Sequence, residues 1–248
     1  MVIIKSKHEI EMMKISGEVT GYVLRELPSI IRPGISTMEL DQFVEKTIRD
    51  NKMIPSFKGY SGFPGSACVS INEEIVHGIP DKKRILKEGD IVTVDVGSIY
   101  KGYHSDAART YPVGKISEEA RHLIEVTEES FYEGLKFCKV GCRLSDISHA
   151  IQTRVEREGM GIIRDFVGHG VGRNLHEDPQ IPNYGKPGRG PRLVEGMTLA
   201  IEPMTCLGSY EVDTLLNNWT AVTVDGKLSA HYENTVVITD GEPMLLTL

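Results

Sequence analysis

The sequence predicts an α+β fold made of two related halves, each with two helices followed by a β-rich segment. Three observations predict it: helical spacing of apolar residues near the start, a glycine-punctuated β-rich stretch over about 57–111, and a repetition of this order. The 248 residues suffice for one large domain with a sizeable core. We expect a single domain, 1–248, with halves of roughly 1–112 and 113–248.

Each half is expected to begin with a helix pair. Residues 6–31 carry helical spacing, and Ser6 with Glu9 fits a capping box. A second helix starts at residue 36 or 37, after a Pro-Gly break. In the second half Ser117 opens a helix, Val140-Gly141 breaks it, and another helix follows before a β-rich stretch that begins near residue 162.

The repetition keeps a constant register. An offset of 107 relates positions in both helices and a strand: Gly34 and Gly141, Leu40 and Ile147, Val44 and Ile151, and Asp95 and Glu202. A constant offset across three elements indicates an internal duplication, which we expect to be arranged about a pseudo-two-fold axis.

Two strand-end carboxylates stand in each half. Asp95 ends a β-branched run, a hairpin turn is predicted over 99–102, and the chain returns through Asp106, so both carboxylates are expected on one face. In the second half Glu202 ends the matching strand and Glu233 lies on the returning one. Pro203 predicts that the strand ends there or lies at an edge.

Four carboxylates at one point repel each other and lose hydration. Two divalent cations resolve that cost, and carboxylate with imidazole suits Mn, Fe, Co or Zn. The competing interpretation is that a strand-end acid is a turn former or a solvated charge, which holds for Asp95 taken alone. Its recurrence at Glu202 argues against that interpretation.

Three histidines are candidate ligands. His169 lies among three glycines, which indicates close backbone approach and an exposed imidazole. His77 precedes Gly78 in a strand-to-turn setting, and His176 follows a short loop. The residues alone leave open which of the three binds metal.

The chain resembles the type I methionine aminopeptidases, of the pita-bread fold, over nearly its whole length. The resemblance rests on these segments: Val76-His77-Gly78-Ile79-Pro80, Asp95-Val96, His104-Ser105-Asp106, Gly168-His169-Gly170-Val171-Gly172, His176-Glu177, Ile201-Glu202-Pro203 and Glu233-Asn234. It implies a curved antiparallel sheet covered by helices. It also implies hydrolysis of an N-terminal methionine, preferably before a small second residue.

The resemblance assigns roles to particular residues. The metal ligands it implies for two divalent ions are Asp95, Asp106, His169, Glu202 and Glu233. His77 and His176 would contact the substrate around the scissile amide, and we expect Glu202 also to relay a proton. The methionine pocket it implies is formed by Phe57, Tyr60, Phe63, Cys68 and Trp219.

The composition and net charge limit which partners and which cellular location are expected. A formal net charge of −7 disfavours a broad nucleic-acid surface, and no apolar run reaches the roughly 18 residues of a membrane helix. Four cysteines without a Cys-x-x-Cys pair indicate a reducing cytoplasm. We expect a cytoplasmic monomer that acts on Met-peptides and on nascent chains near the ribosome, without a nucleic-acid site.

Three alternative functions fit the sequence less well. A hydrolase of Xaa-Pro bonds on the same fold usually carries a further N-terminal domain, and none precedes Ser6. A non-catalytic binding module typically loses ligands, whereas all five are present. Nucleic-acid binding is opposed by the charge and by the lack of a basic motif.

Overall fold

Four α-helices occur as two consecutive pairs in the computed structural model, which describes residues 1–248. They are α1 (Lys7–Glu26), α2 (Thr37–Asp50), α3 (Glu118–Leu135) and α4 (Leu144–Arg157). A 3₁₀ turn over Leu27–Ser29 follows α1, and a second lies at Tyr60–Gly62.

The helix starts follow from capping residues. Ser6 accepts a hydrogen bond from the Glu9 backbone, and the Glu9 carboxylate returns to the Ser6 N–H at 2.9 Å, so the predicted capping box is confirmed. Ser36 caps α2 in the same way, and Ser117 caps α3. Such caps satisfy backbone donors that the helix itself leaves free.

The first half supplies five strands. They are β1 (Ile54–Pro55), β2 (Ala67–Ile71), β3 (Glu74–Val76), β4 (Ile91–Tyr100) and β5 (Tyr103–Pro112). Strand β4 pairs antiparallel with β1, β2 and β5, which makes it the central strand of this sheet. Helices α1 and α2 pack against the sheet and bury Leu40, Val44 and Ile48.

The second half supplies ten shorter strands. They are β6 (Gly161–Ile162), β7 (Gly168–Gly170), β8 (Glu177–Ile181), β9 (Thr198–Ile201), β10 (Met204–Cys206), β11 (Val212–Thr214), β12 (Ala221–Thr223), β13 (Ser229–His231), β14 (Asn234–Val237) and β15 (Met244–Leu245). One sheet has the order β15-β14-β9-β7-β8, another β13-β10-β6, and all their pairs are antiparallel.

The two halves are joined by shared backbone pairing. Strand β3 of the first half pairs with β12, which in turn pairs with β11. Each helix pair covers a separate apolar core, one under α1 and α2 and the other under α3 and α4. Helices α2 and α4 begin at Thr37 and Leu144, the predicted offset of 107. Internal duplication of one domain stays a prediction.

Candidate metal centre and substrate cavity

The β4–β5 hairpin brings two carboxylates to one face. Its turn is Lys101-Gly102, and both residues have positive φ, 48° and 82°. Asp95 lies opposite Ala108, and Asp106 lies opposite Gly97. Because side chains alternate along a strand, Asp95 and Asp106 share a face, as predicted.

In the second half, the two carboxylates lie where two strands are interrupted. Strand β9 ends at Ile201, β10 begins at Met204, and Glu202-Pro203 lies between them, so the predicted strand end is confirmed. The returning strand is interrupted in the same way: β13 ends at His231, β14 begins at Asn234, and Glu233 lies between them. The Glu233 N–H donates to the Ala108 carbonyl at 3.0 Å. That bond ties the second carboxylate pair to the strand opposite Asp95.

His169 lies on β7, which two glycines allow to approach its neighbours. A Cβ at Gly168 would lie 2.5 Å from the Ala200 oxygen, and one at Gly170 would lie 2.2 Å from the Asp178 oxygen. The close approach was predicted, but the expected exposure of the imidazole was wrong: His169 is only 7% exposed. The glycines bring in neighbouring backbone, and that backbone covers the ring.

The His169 ring is oriented towards the carboxylates. Its Nδ1 lies 2.8 Å from the Gly170 carbonyl, which accepts a hydrogen bond and leaves Nε2 unprotonated. Nε2 lies 3.7 Å from Asp106 Oδ2 and 3.6 Å from Glu202 Oε1. Burial lowers the pKa of His169 to about 3, so the ring is neutral and able to ligate.

The four carboxyl groups are strained electrostatically without a cation. Burial raises the pKa of Asp95 to about 7. Burial and then neighbouring carboxylates raise the pKa values of Asp106, Glu202 and Glu233 well above their usual range. Each shift has the same cause, because negative charge at this point lacks both water and an opposite charge.

Several oxygens here have no hydrogen-bond partner. They are Asp95 Oδ1, Asp106 Oδ1 and Glu233 Oε1, all buried. Buried polar atoms normally have a hydrogen-bond partner, so three unpaired oxygens in one place indicate that their partner is a cation. Two groups have ligand atoms spaced to hold an ion, one formed by Asp106, His169 and Glu233 and the other by Asp95, His231 and Glu233. The donors therefore fit divalent metal, and Glu233 is common to both groups.

These carboxylates form part of the wall of one cavity of about 290 Å³. All twelve residues named from the sequence line it: Phe57, Tyr60, Phe63, Cys68, His77, Asp95, Asp106, His169, His176, Glu202, Trp219 and Glu233. The sequence interpretation assigned no role to the other five residues that line it, which are Ser61, Val76, Phe166, Val167 and Leu175. Val76 and Leu175 directly precede His77 and His176, and that neighbourhood is the signal that could have marked them.

His176 and Tyr60 lie together in the cavity wall. The Tyr60 hydroxyl is 2.8 Å from His176 Nδ1. This contact occupies Nδ1 and leaves the other ring nitrogen, Nε2, for a different partner. The His176 ring lies 4.3 Å from that of His169, centroid to centroid. Burial lowers the pKa of His176, which keeps the ring neutral near physiological pH.

His77 occupies a strained position among aromatic rings. Its φ is 59°, a left-handed conformation that costs a side-chain-bearing residue energy. A Cβ at the following Gly78 would lie 2.1 Å from the Val69 oxygen, so only glycine fits beneath it. The ring meets Phe166 and Trp219 edge to face, at 5.3 and 6.4 Å. Burial lowers the pKa of His77 to about 4.

An apolar compartment adjoins the carboxylates. Phe57, Phe63, Cys68 and Leu175 are buried together, and Trp219 packs on Phe63 at 5.1 Å. Trp219 lies between β11 and β12, in the insertion that separates Glu202 from Glu233. Burial and the nearby Asp95 raise the pKa of the Cys68 thiol well above its usual range, so Cys68 remains a neutral wall residue.

No helix of the molecule is long and apolar enough to cross a membrane.

Known proteins resemble this chain along its whole length. It is 56% identical to methionine aminopeptidase of Clostridium acetobutylicum, covering 100% of this chain and 99% of that one. The crystal structure of methionine aminopeptidase from Thermotoga maritima matches with a TM-score of 0.98 at 49% identity, covering 100% and 99% of the two chains. Prolidase from Pyrococcus furiosus matches with a TM-score of 0.78 at 25% identity, and its match covers 99% of this chain but 65% of that one.

Fold and cavity together define a metallopeptidase with the pita-bread fold, as the sequence predicted. The chain belongs to metallopeptidase family M24, whose sequence profile matches residues 11–240.

Proposed function

We propose that this chain is a methionine aminopeptidase that removes the N-terminal methionine of peptides with two divalent metal ions. The ions would be held by Asp95, Asp106, His169, Glu202 and Glu233. One observation carries the proposal: these five side chains meet in the wall of a cavity whose remaining wall is mostly apolar and aromatic. The relatives named methionine aminopeptidase support the choice of substrate.

The ions would supply Lewis acidity and lower the pKa of water towards neutrality. Asp106 and Glu233 would hold the ions, and each has a buried oxygen without a protein partner. His169 supplies one neutral nitrogen, fixed by its bond to Gly170. The metal can be Co, Mn, Fe or Zn, since this donor set accepts each of them.

Three side chains act on the scissile amide. Glu202 takes a proton from the attacking water and delivers it to the leaving amine. When Tyr60 donates to His176 Nδ1, His176 Nε2 carries the proton and donates a hydrogen bond to the carbonyl oxygen. One such donor is typically worth about 3–4 kcal/mol in the transition state. His77 orients the scissile nitrogen.

The apolar compartment receives the methionine side chain. Phe57, Phe63 and Cys68 form its buried wall, and Trp219 and Tyr60 offer ring edges and faces to the thioether. The free α-amino group would lie at the carboxylate end, which restricts cleavage to the first residue. A shallow site beyond the cut would favour a small second residue.

The proposed setting is the cytoplasm, where the chain would act as a monomer on nascent chains near the ribosome. All four cysteines are free, and Cys68, Cys138 and Cys206 are buried, which suits a reducing compartment. Sedimentation of the purified protein with and without ribosomes tests the monomer and the ribosome proximity together.

Hydrolysis of Met-Ala-Ser and of an Ala-Pro peptide, measured side by side after metal stripping and metal addition, tests the proposed activity. We expect release of methionine only from Met-Ala-Ser and only with metal added. Preferential cleavage of the Ala-Pro peptide would instead assign the chain to the Xaa-Pro enzymes. A series of Met-Xaa peptides then ranks the second residue, and we expect rates to fall as Xaa grows.

A further inference from the structure

His231 is a buried histidine for which the proposed mechanism has no role. It lies at the end of β13, with 1% of its surface exposed. Both of its ring nitrogens lack a hydrogen-bond partner. A buried imidazole without any partner is rare, because desolvating its polar atoms costs free energy that a hydrogen bond normally offsets.

The Thr110 side chain and strand β10 hold the backbone of His231 in place. Its N–H donates to Thr110 Oγ1 at 3.0 Å, and its carbonyl accepts from the same hydroxyl at 2.9 Å. The residue also pairs with Met204 of β10. The backbone position from which the ring projects is therefore set by the sheet.

The ring of His231 faces the carboxylates of the metal centre. Its Nε2 lies 3.8 Å from Glu202 Oε2 and 3.7 Å from Glu233 Oε2. These separations are too long for hydrogen bonds. They match the 3.6 and 3.7 Å between His169 Nε2 and its two carboxylates. Glu202 thus lies between two imidazoles, with one oxygen towards each.

The same symmetry appears in the ligand groups. Asp106, His169 and Glu233 form one group, and Asp95, His231 and Glu233 form the other, each with its ligand atoms within 4.8 Å of one another. Each group contains one hairpin aspartate, one imidazole and the shared Glu233. The two histidines thus occupy equivalent places around a common carboxylate.

We propose that His231 is a sixth protein ligand of the dinuclear centre, so that each metal position has one imidazole. The inference rests on the proposed metal centre and adds a ligand to it. Neutral imidazole adds a donor atom without adding to the negative charge that four carboxylates already bring to two ions. The metal position that His231 binds therefore has softer donor atoms. It favours Co, Fe or Zn over Mg more strongly than a position with carboxylates alone.

X-ray absorption of the cobalt-loaded protein tests the proposal by counting imidazoles per metal ion. With two ions bound, wild-type protein should give about one imidazole per cobalt, and His231→Gln about one half. His104→Gln is the matched control, because His104 is a nearby histidine bonded to Ser56 and outside the proposed ligand set. That control should keep the wild-type count.

Calorimetric titration with cobalt gives a second measurement. Loss of an outer-shell partner already weakens metal binding about 10- to 100-fold, so His231→Gln should weaken one of the two binding steps at least about tenfold. Equal imidazole counts in wild-type and His231→Gln protein overturn the proposal. A wild-type count of about one half at two ions per chain overturns it even when the variant does not fold. Release of methionine from Met-Ala-Ser by wild-type protein is scored separately and decides the proposed function alone.

Discussion

Asp106 and Thr235 are joined by two hydrogen bonds that cross from the first half of the chain to the second. The Asp106 N–H donates to Thr235 Oγ1 at 2.9 Å, and that hydroxyl donates to the Asp106 carbonyl at 2.8 Å. Thr235 follows Glu233 by two residues, so one side chain ties together the backbone segments that carry two proposed metal ligands, Asp106 and Glu233. The Thr247 hydroxyl accepts from the Thr235 N–H. These three hydrogen bonds of Thr235, here called the clamp, thus also include the C-terminal segment.

Thr235→Val should loosen the clamp. The buried Asp106 N–H and carbonyl lose their partner, which costs about 1–3 kcal/mol of stability. Misplacement of two ligands should also weaken metal binding about 10- to 100-fold. Denaturant unfolding and cobalt calorimetry measure the two effects. Thr239→Val, on an exposed turn, is the control and should change neither; equal effects of both variants would contradict the clamp.

The ion pair of Lys5 and Glu177 should be costly to break from one side. Its atoms are 2.5 Å apart, and the two side chains are only 3% and 2% exposed. Lys5→Met leaves Glu177 buried without its counter-charge, which should cost about 3–5 kcal/mol. Because Glu177 follows His176, the rate should fall as well.

Two further variants test the cause. Lys46→Met removes an ion pair whose side chains are 76% and 61% exposed, and it should leave stability unchanged. Lys5→Met combined with Glu177→Leu should recover much of the lost stability, because no buried charge remains. A double variant as unstable as Lys5→Met alone would show that packing, and not the uncompensated charge, is the cause.

Tyr60→Phe should lower kcat without changing metal content. The variant removes the partner of His176 Nδ1, at 2.8 Å, and frees the ring to adopt the unproductive tautomer. One neutral hydrogen bond is worth about 0.5–1.5 kcal/mol, so kcat should fall roughly two- to tenfold. His176→Ala should cut it further and also keep the metal. Loss of metal from His176→Ala would make His176 a ligand.

In the metal-free protein, the contribution of Asp95 to stability should fall as pH rises from about 4 to about 7. Burial raises the pKa of Asp95 to about 7 in the fold, whereas an unfolded aspartate titrates near 4. Between these values Asp95 binds more proton in the folded state than in the unfolded state, so this contribution falls with rising pH. The same sign holds for Asp106, Glu202 and Glu233, and their raised pKa values extend the decline to higher pH. The buried histidines, with lowered pKa values, contribute with the opposite sign over this range, so the Asp95 contribution is read from the difference between wild-type protein and Asp95→Asn.

Thermal unfolding across pH, with and without metal, measures this dependence. Metal needs deprotonated ligands, so metal-loaded protein should instead gain stability over the same range. Asp95→Asn removes this titrating group, so the metal-free variant should lose less stability than wild-type protein between about pH 4 and 7. Parallel wild-type and Asp95→Asn curves would contradict the raised pKa of Asp95.

The hairpin and the fold class were predictable, because they depend on local patterns. The run from Ile91 to Asp95, the turn at Lys101-Gly102 and the return to Asp106 follow from strand alternation and turn chemistry. The pita-bread fold followed from the resemblance and is confirmed. Pro203 marked a strand end correctly.

Other features depend on contacts that no local pattern encodes. The glycines beside His169 predicted close backbone approach, but burial of the ring depends on which strands approach. Phe166 reaches the cavity as an ordinary apolar residue. His231 stands two residues before Glu233, as His104 stands two before Asp106, yet only His231 points at the carboxylates.

Stepwise addition of cobalt to metal-stripped protein, with methionine release from Met-Ala-Ser followed at each step, tests the dinuclear aminopeptidase most directly. We predict no release without metal, full activity once the centre is loaded, and loss of both metal and activity in His169→Ala. Undiminished release by the stripped protein, or near-normal activity in His169→Ala, would contradict the account.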